Sequence, residues 1–424
     1  MKRSLLLLSI AFVAAAFAPV EEVLKPADHA ALGKSIQAWV KASNENKGIS
    51  KAYEELAKEF EKLDKKAKRN TLALTGDLGR AVWASYDYSK GRVVKGKVHK
   101  DTVPAYWDDK AKLEYAVWTP AKYDPRQAYP LLVCFPDKGQ KPEQHLMEDW
   151  MDPGLREKAI LLCIPLPENE ADWNDADAGA SKPTGTGNLF TLLNGPEAIT
   201  RSHAIDFDKI FLCGRGQSVG TALVFGSRFP DRFAGIIGRA GDTLAVTNEN
   251  FRNLPTLFCG AGANATAFLD ANDKLGYKNC TVKADGNEAD VWAWIGVQKR
   301  AANPTEIVLW PGVPSPKRAF WIETSWDGQG TAWIKATADR ATNTVTVTGE
   351  GVTKVTLYMN DVLLDLDKPV KVVCNGVESN STIPRNLERT MGLIYKGRND
   401  PGKIYVNFKE YDLPPPKKDK EAGK

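Results

Sequence analysis

Along the chain the spacing of apolar positions changes twice, and each regime predicts a different kind of structure. In residues 27–44 and 50–68 apolar side chains recur at three- and four-residue steps. Tyr53, Leu56, Ala57, Phe60, Leu63 and Ala67 alternate there with Lys and Glu, predicting amphipathic helices. Gly48 separates the two, so a helical hairpin is expected. From about residue 91 the pattern becomes short, nearly continuous apolar runs: Leu113 to Thr119, Tyr129 to Phe135, Ala159 to Pro165, Lys209 to Gly214, Phe233 to Gly238 and Leu254 to Gly260. Such runs suit strands buried on both faces, and helical stretches at 187–200 and 218–229 lie between the later ones, predicting an α/β domain with a mostly parallel sheet. After residue 312 the period becomes two. Ala319 to Thr324, Thr331 to Ala338, Thr344 to Thr348, Lys354 to Tyr358, Val370 to Cys374 and Lys403 to Phe408 are short, rich in β-branched and aromatic residues, and separated by turns, predicting a small all-β sandwich.

The expected division is therefore a helical region over 19–90, an α/β domain over 91–312, a β-sandwich over 313–412 and a flexible tail over 413–424. The first 18 residues form a separate segment. Met1-Lys2-Arg3, an apolar run and an Ala-x-Ala end at Ala16 to Ala18 predict a signal peptide cleaved before Pro19, hence export to a periplasmic or extracellular location. No later run is long and apolar enough to predict a transmembrane segment. The 424 residues suffice for two or three domains at roughly 100–200 residues each. A net charge of +4 with 43% hydrophobic and 26% charged residues excludes a disordered chain and a strongly basic nucleic-acid binder. The basic run of Lys62, Lys65, Lys66, Lys68 and Arg69 is balanced by Glu54, Glu55, Glu59 and Glu61 and reads as a solvated helix face, so no nucleic-acid partner is expected.

Export permits disulfides, and six cysteines are present. Cys134, Cys163, Cys213 and Cys259 each sit inside an apolar run, as small buried core residues would. Cys280 and Cys374 fall in different expected domains, which leaves their pairing open. Only four histidines occur, His29, His99, His145 and His203, and none lies in the second half of the chain.

The stretch richest in chemistry is Asp206-Phe207-Asp208-Lys209-Ile210-Phe211-Leu212-Cys213-Gly214-Arg215-Gly216-Gln217-Ser218-Val219-Gly220, followed by a helix ending near Phe229-Pro230-Asp231. Here the sequence resembles the α/β-hydrolase superfamily, specifically secreted esterases of the polyhydroxybutyrate-depolymerase and feruloyl-esterase type. The resemblance spans about residues 110 to 300. It implies a serine nucleophile on a sharp strand-to-helix turn, an acid and a histidine later in the chain, and backbone amides that receive the oxyanion. Two registers give opposite answers. Gly216-Gln217-Ser218-Val219-Gly220 is literally a G-x-S-x-G motif, with Ser218 as nucleophile. The flanking elements, with Gly214 ending the strand and Pro230 ending the helix, instead place the nucleophile position at Gly216.

The other positions that the resemblance marks depart as well. Asn287 stands in the histidine slot ahead of Trp292-Ala293-Trp294, and an amide cannot act as a base. Ala263, or Asn264 in a loop one residue longer, stands in the acid slot, and Asp270 and Asp273 fall in the following helix as surface charges. Pro136, ahead of Asp137, occupies the early oxyanion-loop position and has no amide to donate.

The expectation is an exported α/β-hydrolase-fold protein that has lost triad hydrolysis, without catalytic residues, and binds an unknown ligand or protein at the former crevice. One alternative is an ester or peptide hydrolase that uses Ser218 with His145, or less readily His203, as base. Another is carbohydrate or cell-surface binding through Trp310, Trp321, Trp326 and Trp333 of the β module, which requires them to be exposed on one face. Gly185-Thr186-Gly187 lacks the rest of a dinucleotide loop, and Asp172, Asn174, Asp175 and Asp177 read as an acidic loop rather than a Ca²⁺ site. No cofactor and no metal are expected.

Overall fold

The computed structural model describes residues 23–91, 93–105, 108–137, 139–165, 189–241, 243, 246–262, 264–312 and 317–416. The signal-peptide segment, the Gly185-Thr186-Gly187 stretch, the acidic loop at 172–177 and Ala263 lie outside them. The helices α1 (Pro26–Asn44) and α2 (Ile49–Ala67) form the expected hairpin, and a third helix, α3 (Thr75–Ala84), packs against α1. The buried Asp77 of α3 fastens the start of this region, accepting from the amides of Val23 (3.0 Å) and Leu24 (3.2 Å) and lying 2.7 Å from Nε2 of His29.

The α/β unit follows in order: β1 (Val98–Ala105), β2 (Asp108–Trp118), β3 (Tyr129–Phe135), α4 (Pro142–Glu148), α5 (Pro153–Lys158), β4 (Ile160–Cys163), α6 (Leu189–Ser202), β5 (Ile205–Arg215), α7 (Ser218–Arg228), β6 (Gly235–Arg239), β7 (Thr256–Cys259), α8 (Thr266–Lys274), β8 (Cys280–Lys283) and α9 (Glu288–Val297). These strands make one eight-stranded sheet in the order β1-β2-β4-β3-β5-β6-β7-β8. β2 is antiparallel to both its neighbours, and every pair from β4 onward is parallel. That order is the α/β-hydrolase topology, so the chain has an α/β-hydrolase-like fold.

The continuous apolar runs divide by alternation. Leu131, Val133 and Phe135 of β3 enter the core beneath α6 and α7, whereas Leu132 and Cys134 enter the opposite core, with Leu146, Trp150, Val291 and Ile295. Cys163 of β4, Cys134 of β3 and Cys213 of β5 lie side by side in register in that second core. All six cysteines are free, so Cys280 on β8 and Cys374 are unpaired with each other.

The C-terminal module holds β9 (Glu306–Leu309), β10 (Arg318–Ala319), β11 (Ile322–Thr324), β12 (Trp333–Asp339), β13 (Thr344–Glu350), β14 (Lys354–Met359), β15 (Val370–Cys374), β16 (Val377–Ser381), α10 (Leu387–Lys396) and β17 (Asn407–Asp412). It contains a four-stranded sheet, β10-β11-β14-β17, and a five-stranded sheet, β16-β15-β13-β12-β9. β9, which precedes residue 313, already belongs to it. The apolar run expected as a strand over Lys403 to Phe408 is instead irregular up to Val406, because Ile404, Tyr405 and Val406 are all drawn into the core. The strand β17 begins one residue later. Most of the helical region packs on this module, where Leu32, Ile36 and Leu56 share one buried cluster with Ile334, Val347 and Leu357, while Trp83, Tyr86 and Tyr88 at its end pack on the core of the hydrolase sheet.

Buried charges lock the module to the α/β unit. Arg300 pairs with Asp208 at 2.9 Å and with Asp400 at 2.6 Å, and Lys403 pairs with Asp231 at 2.5 Å. Asp231 also accepts from the Phe320 amide at 3.0 Å.

Candidate functional site

The crevice of this fold lies at the C-terminal ends of the parallel strands, where β5 turns sharply into α7. The turn depends on glycine twice. A side chain on Gly214 would meet the backbone oxygen of Ser218 at 2.4 Å, so its absence lets the first turn of α7 rest on the strand end. Gly216 has φ +58, the left-handed conformation of a sharp elbow. A Cβ on Gly216 would lie 2.3 Å from Oδ2 and 2.5 Å from Oδ1 of Asp137. The Asp137 carboxylate thus fills the space above the turn, and Oδ1 accepts from the Gln217 amide at 3.2 Å. That amide belongs to the residue after the turn, the one that would face an oxyanion in this fold.

Asp137 is held from behind. It exchanges hydrogen bonds with Gln140, whose amide donates to the Asp137 carbonyl at 3.0 Å and whose Oε1 accepts from the Asp137 amide at 3.3 Å. Gln140 Oε1 also lies 2.9 Å from Nδ1 of His145, and its Nε2 donates to Asp149 Oδ2 at 2.9 Å. Asp149, nearly fully buried, collects His145 Nδ1 at 3.1 Å and the Arg215 guanidinium. Arg239 donates to the Asp149 carbonyl and pairs with Glu288 at 3.0 Å, while the other Glu288 oxygen accepts from the amides of Met151 (2.6 Å) and Asp152 (2.7 Å). Sequence reasoning missed this network and the Asp137 carboxylate at its tip. The signal is adjacent: Asp137 directly follows Pro136, whose missing amide marks the oxyanion-loop position.

Ser218 is fully buried, and its hydroxyl is committed to backbone: Oγ lies 2.8 Å from the carbonyls of both Phe135 and Arg215 and accepts from the Arg215 amide at 2.8 Å. It stitches the end of β3 to the end of β5. His145 is fully buried too, with both ring nitrogens engaged. Nε2 accepts from Trp150 Nε1 at 2.9 Å, so the ring proton sits on Nδ1, facing Gln140 and Asp149. Neither residue faces the other with a free lone pair or proton.

Asn287 is the N-cap of α9. Its side chain accepts from the amides of Ala289 (2.8 Å) and Asp290 (3.3 Å), and the Asp290 carboxylate returns a bond to its amide at 3.0 Å. Asn264 lies just before α8 and accepts from the Thr266 amide at 3.3 Å, and Asp270 and Asp273 are exposed on α8. Pro136 is buried directly after β3. His203 sits at the opposite end of the strands, between Thr119 Oγ1 (3.1 Å) and Ser202 Oγ (2.8 Å), and burial pushes its pKa down to about 4.

Of the four tryptophans considered for carbohydrate binding, Trp321 and Trp326 are buried, with Nε1 donating to the carbonyls of Pro304 and Gln329, and Trp310 and Trp333 are half-buried. They form no exposed platform. Among the described residues no group of three or more His, Cys, Asp or Glu is placed to hold a metal ion, and no helix is long and apolar enough to cross a membrane.

No protein-family model matches the chain, and no curated protein matches its sequence. Solved structures similar to it include a thermostable esterase (15% identity, TM-score 0.38), over 48% of this chain and 63% of that one. A ferulic acid esterase (12% identity, TM-score 0.35) is matched over 48% of this chain and 97% of its own. An S-formylglutathione hydrolase from Agrobacterium tumefaciens (12% identity, TM-score 0.35) is matched over 49% and 94%.

Proposed function

We propose that this protein is an exported α/β-hydrolase-fold protein that does not hydrolyse esters by a Ser-His-Asp triad and instead acts by binding. The observation that carries this reading is the Asp137 carboxylate above Gly216: the space a nucleophile would need holds an anion, and the Gln217 amide that would stabilise an oxyanion is already engaged. Each step of acyl transfer then lacks its agent. The turn residue itself, Gly216, carries no hydroxyl to attack a carbonyl. At Asn287 an amide, occupied as a helix cap, cannot take a proton. Ser218 supplies no substitute, since its hydroxyl holds two strand ends together.

The test is hydrolysis of p-nitrophenyl acetate and butyrate by the purified mature protein and by Ser218→Ala. Turnover at the buffer rate in both is the expected result. A burst of nitrophenol from the wild type that disappears in Ser218→Ala would establish the serine-hydrolase alternative and overturn the proposal. Export is checked separately by N-terminal sequencing of the secreted fraction, which should begin at Pro19.

A further inference from the structure

Two of the four histidines meet at the end of the sheet away from Gly216, and each is built into the fold in its neutral form. His203 closes the turn from α6 into β5 and is 4% exposed. The Ser202 hydroxyl directs its single proton to the Ala198 carbonyl at 2.8 Å, so at 2.8 Å from Nδ1 of His203 it accepts, and the ring proton sits on Nδ1. Nε2 is then the acceptor for the hydroxyl of Thr119, 3.1 Å away on a fully buried residue directly after β2. His99 of β1 stands close enough for its charge to act on His203. Its ring donates to the backbone of Val117, its partner across the hairpin, while its Nδ1 is a buried atom with no hydrogen-bond partner among the described residues.

A second proton has no place in this arrangement. On His203 it would sit on Nε2 and point at Thr119 Oγ1, forcing that hydroxyl to turn from donor to acceptor and to lose its own bond. On His99 it would sit on the partnerless Nδ1, and the two charges would repel. The surroundings offer little to offset this. From β1 come Asp101, exposed and shared with the hydroxyl of Tyr115 on β2, and Lys97, which opposes a charge on His99. Tyr123 sets its ring edge-on to His203 at 5.9 Å, accepts from the Ala204 amide at 2.8 Å and carries Lys95 at 5.4 Å from its ring, while Tyr88 donates to the Thr200 carbonyl at 3.3 Å. Burial therefore pushes both imidazoles down, His203 to about 4. Asp206 at the start of β5 responds in the opposite sense, since burial raises its carboxyl and acid favours its folded form. These bonds hold α6, which packs on β1, β2, β4 and β5 and is fastened at its last turn by Ile199 in the core and by His203 against Thr119.

We propose that His203, with His99 beside it, is an acid-operated latch: uptake of a proton releases the last turn of α6 from the β1–β2 hairpin while the rest of the molecule stays folded. The latch lies at the opposite strand ends from Gly216 and stands whether or not the crevice binds or hydrolyses anything. Hydrogen exchange of the full mature protein, read by mass spectrometry at pH 7.0 and 4.5 and corrected for the intrinsic effect of pH, tests it. Opening returns His203 from about 4 to its ordinary 6.5, so the open population should rise tenfold or more between those two conditions. Peptides covering residues 195–204 and 98–105 should lose protection by that factor, while peptides from β6, β7 and the C-terminal module keep theirs within about twofold. His203→Gln should hold α6 protected at both pH values, and His99→Gln, which removes the repulsion but leaves His203, should lose less protection than the wild type. Should His203→Gln fail to fold, the wild-type pattern and His99→Gln decide. Unchanged protection of α6 in the wild type, a loss spread evenly over the molecule, or the full wild-type loss in either variant would overturn the proposal.

Discussion

Gly216→Ala probes the elbow directly, because the new methyl group must enter space that the Asp137 carboxylate fills. Two costs are separable. Holding a non-glycine residue at φ +58 costs about 1–2 kcal/mol. Displacing the carboxylate from the Gln217 amide forfeits a charged hydrogen bond worth about 1.5–3 kcal/mol, toward the lower figure because Asp137 is half-buried. The single substitution should therefore destabilise by about 2.5–4 kcal/mol in urea unfolding followed by tryptophan fluorescence. Asp137→Ala alone should cost only the second term. In the double variant that term is lost once, not twice, so Gly216→Ala/Asp137→Ala should be no less stable than Gly216→Ala, sub-additive by about 1.5 kcal/mol or more. Additivity within about 0.5 kcal/mol would refute the reasoning, since it would mean that the carboxylate does not occupy the space above Gly216.

Other expectations follow from the same geometry. Ser218→Ala should cost about 1–3 kcal/mol in stability, because it strips the donor and acceptor that join β3 to β5, while leaving any ester turnover at the buffer rate. His203 has a folded pKa of about 4, below the usual 6.5, so the unfolded chain takes up its proton first: stability should fall as pH drops from about 6.5 to 4, and His203→Gln should flatten that part of a pH–Tm profile. Asp400, held near a pKa of about 2 against the burial that would raise it, chiefly by Arg300, contributes stability that is present above about 3.8 and lost between there and 2. Arg300→Leu, which strands that carboxylate, should cost about 3–5 kcal/mol by calorimetry. With every cysteine free, reducing agent should leave Tm unchanged, and a thiol reagent should label Cys280 in the native protein before any of the buried five.

Legibility in the sequence followed burial. The strands β3, β4, β5, β6 and β7 could be read because burial on both faces makes them continuous apolar runs, and their cysteines could be read as core for the same reason. β8 could not: three of its four residues are exposed, so it shows no apolar run. The short α3 carries two glycines and a Thr start, a poor helix by composition that tertiary packing sustains. In the site, the placement of Gly216 at the turn before α7 and of Asn287 at the start of α9 can be read from the elements beside them. Asp137 was not, because its role arises only when the turn 80 residues later folds beneath it.

In the proposed reading, the elbow persists without a nucleophile because of these same contacts. Gly214 is required by the close approach of α7 to β5, and Ser218 by the junction of two strand ends, so neither position depends on chemistry. The turn is therefore part of the core's construction. In the proposed reading, the groups that differ from an active hydrolase each satisfy a backbone donor that the fold exposes there. Asn287 caps α9, and Asp137 accepts from the amide at the head of α7, where a helix N-terminus favours negative charge. A serine at 216 alone would not restore an open site, because its Oγ would compete with Asp137 for the same volume. On that proposal, acyl transfer by a triad would require removing that carboxylate and supplying a base at 287, a combination in which each change sacrifices a local bond before any catalytic gain appears.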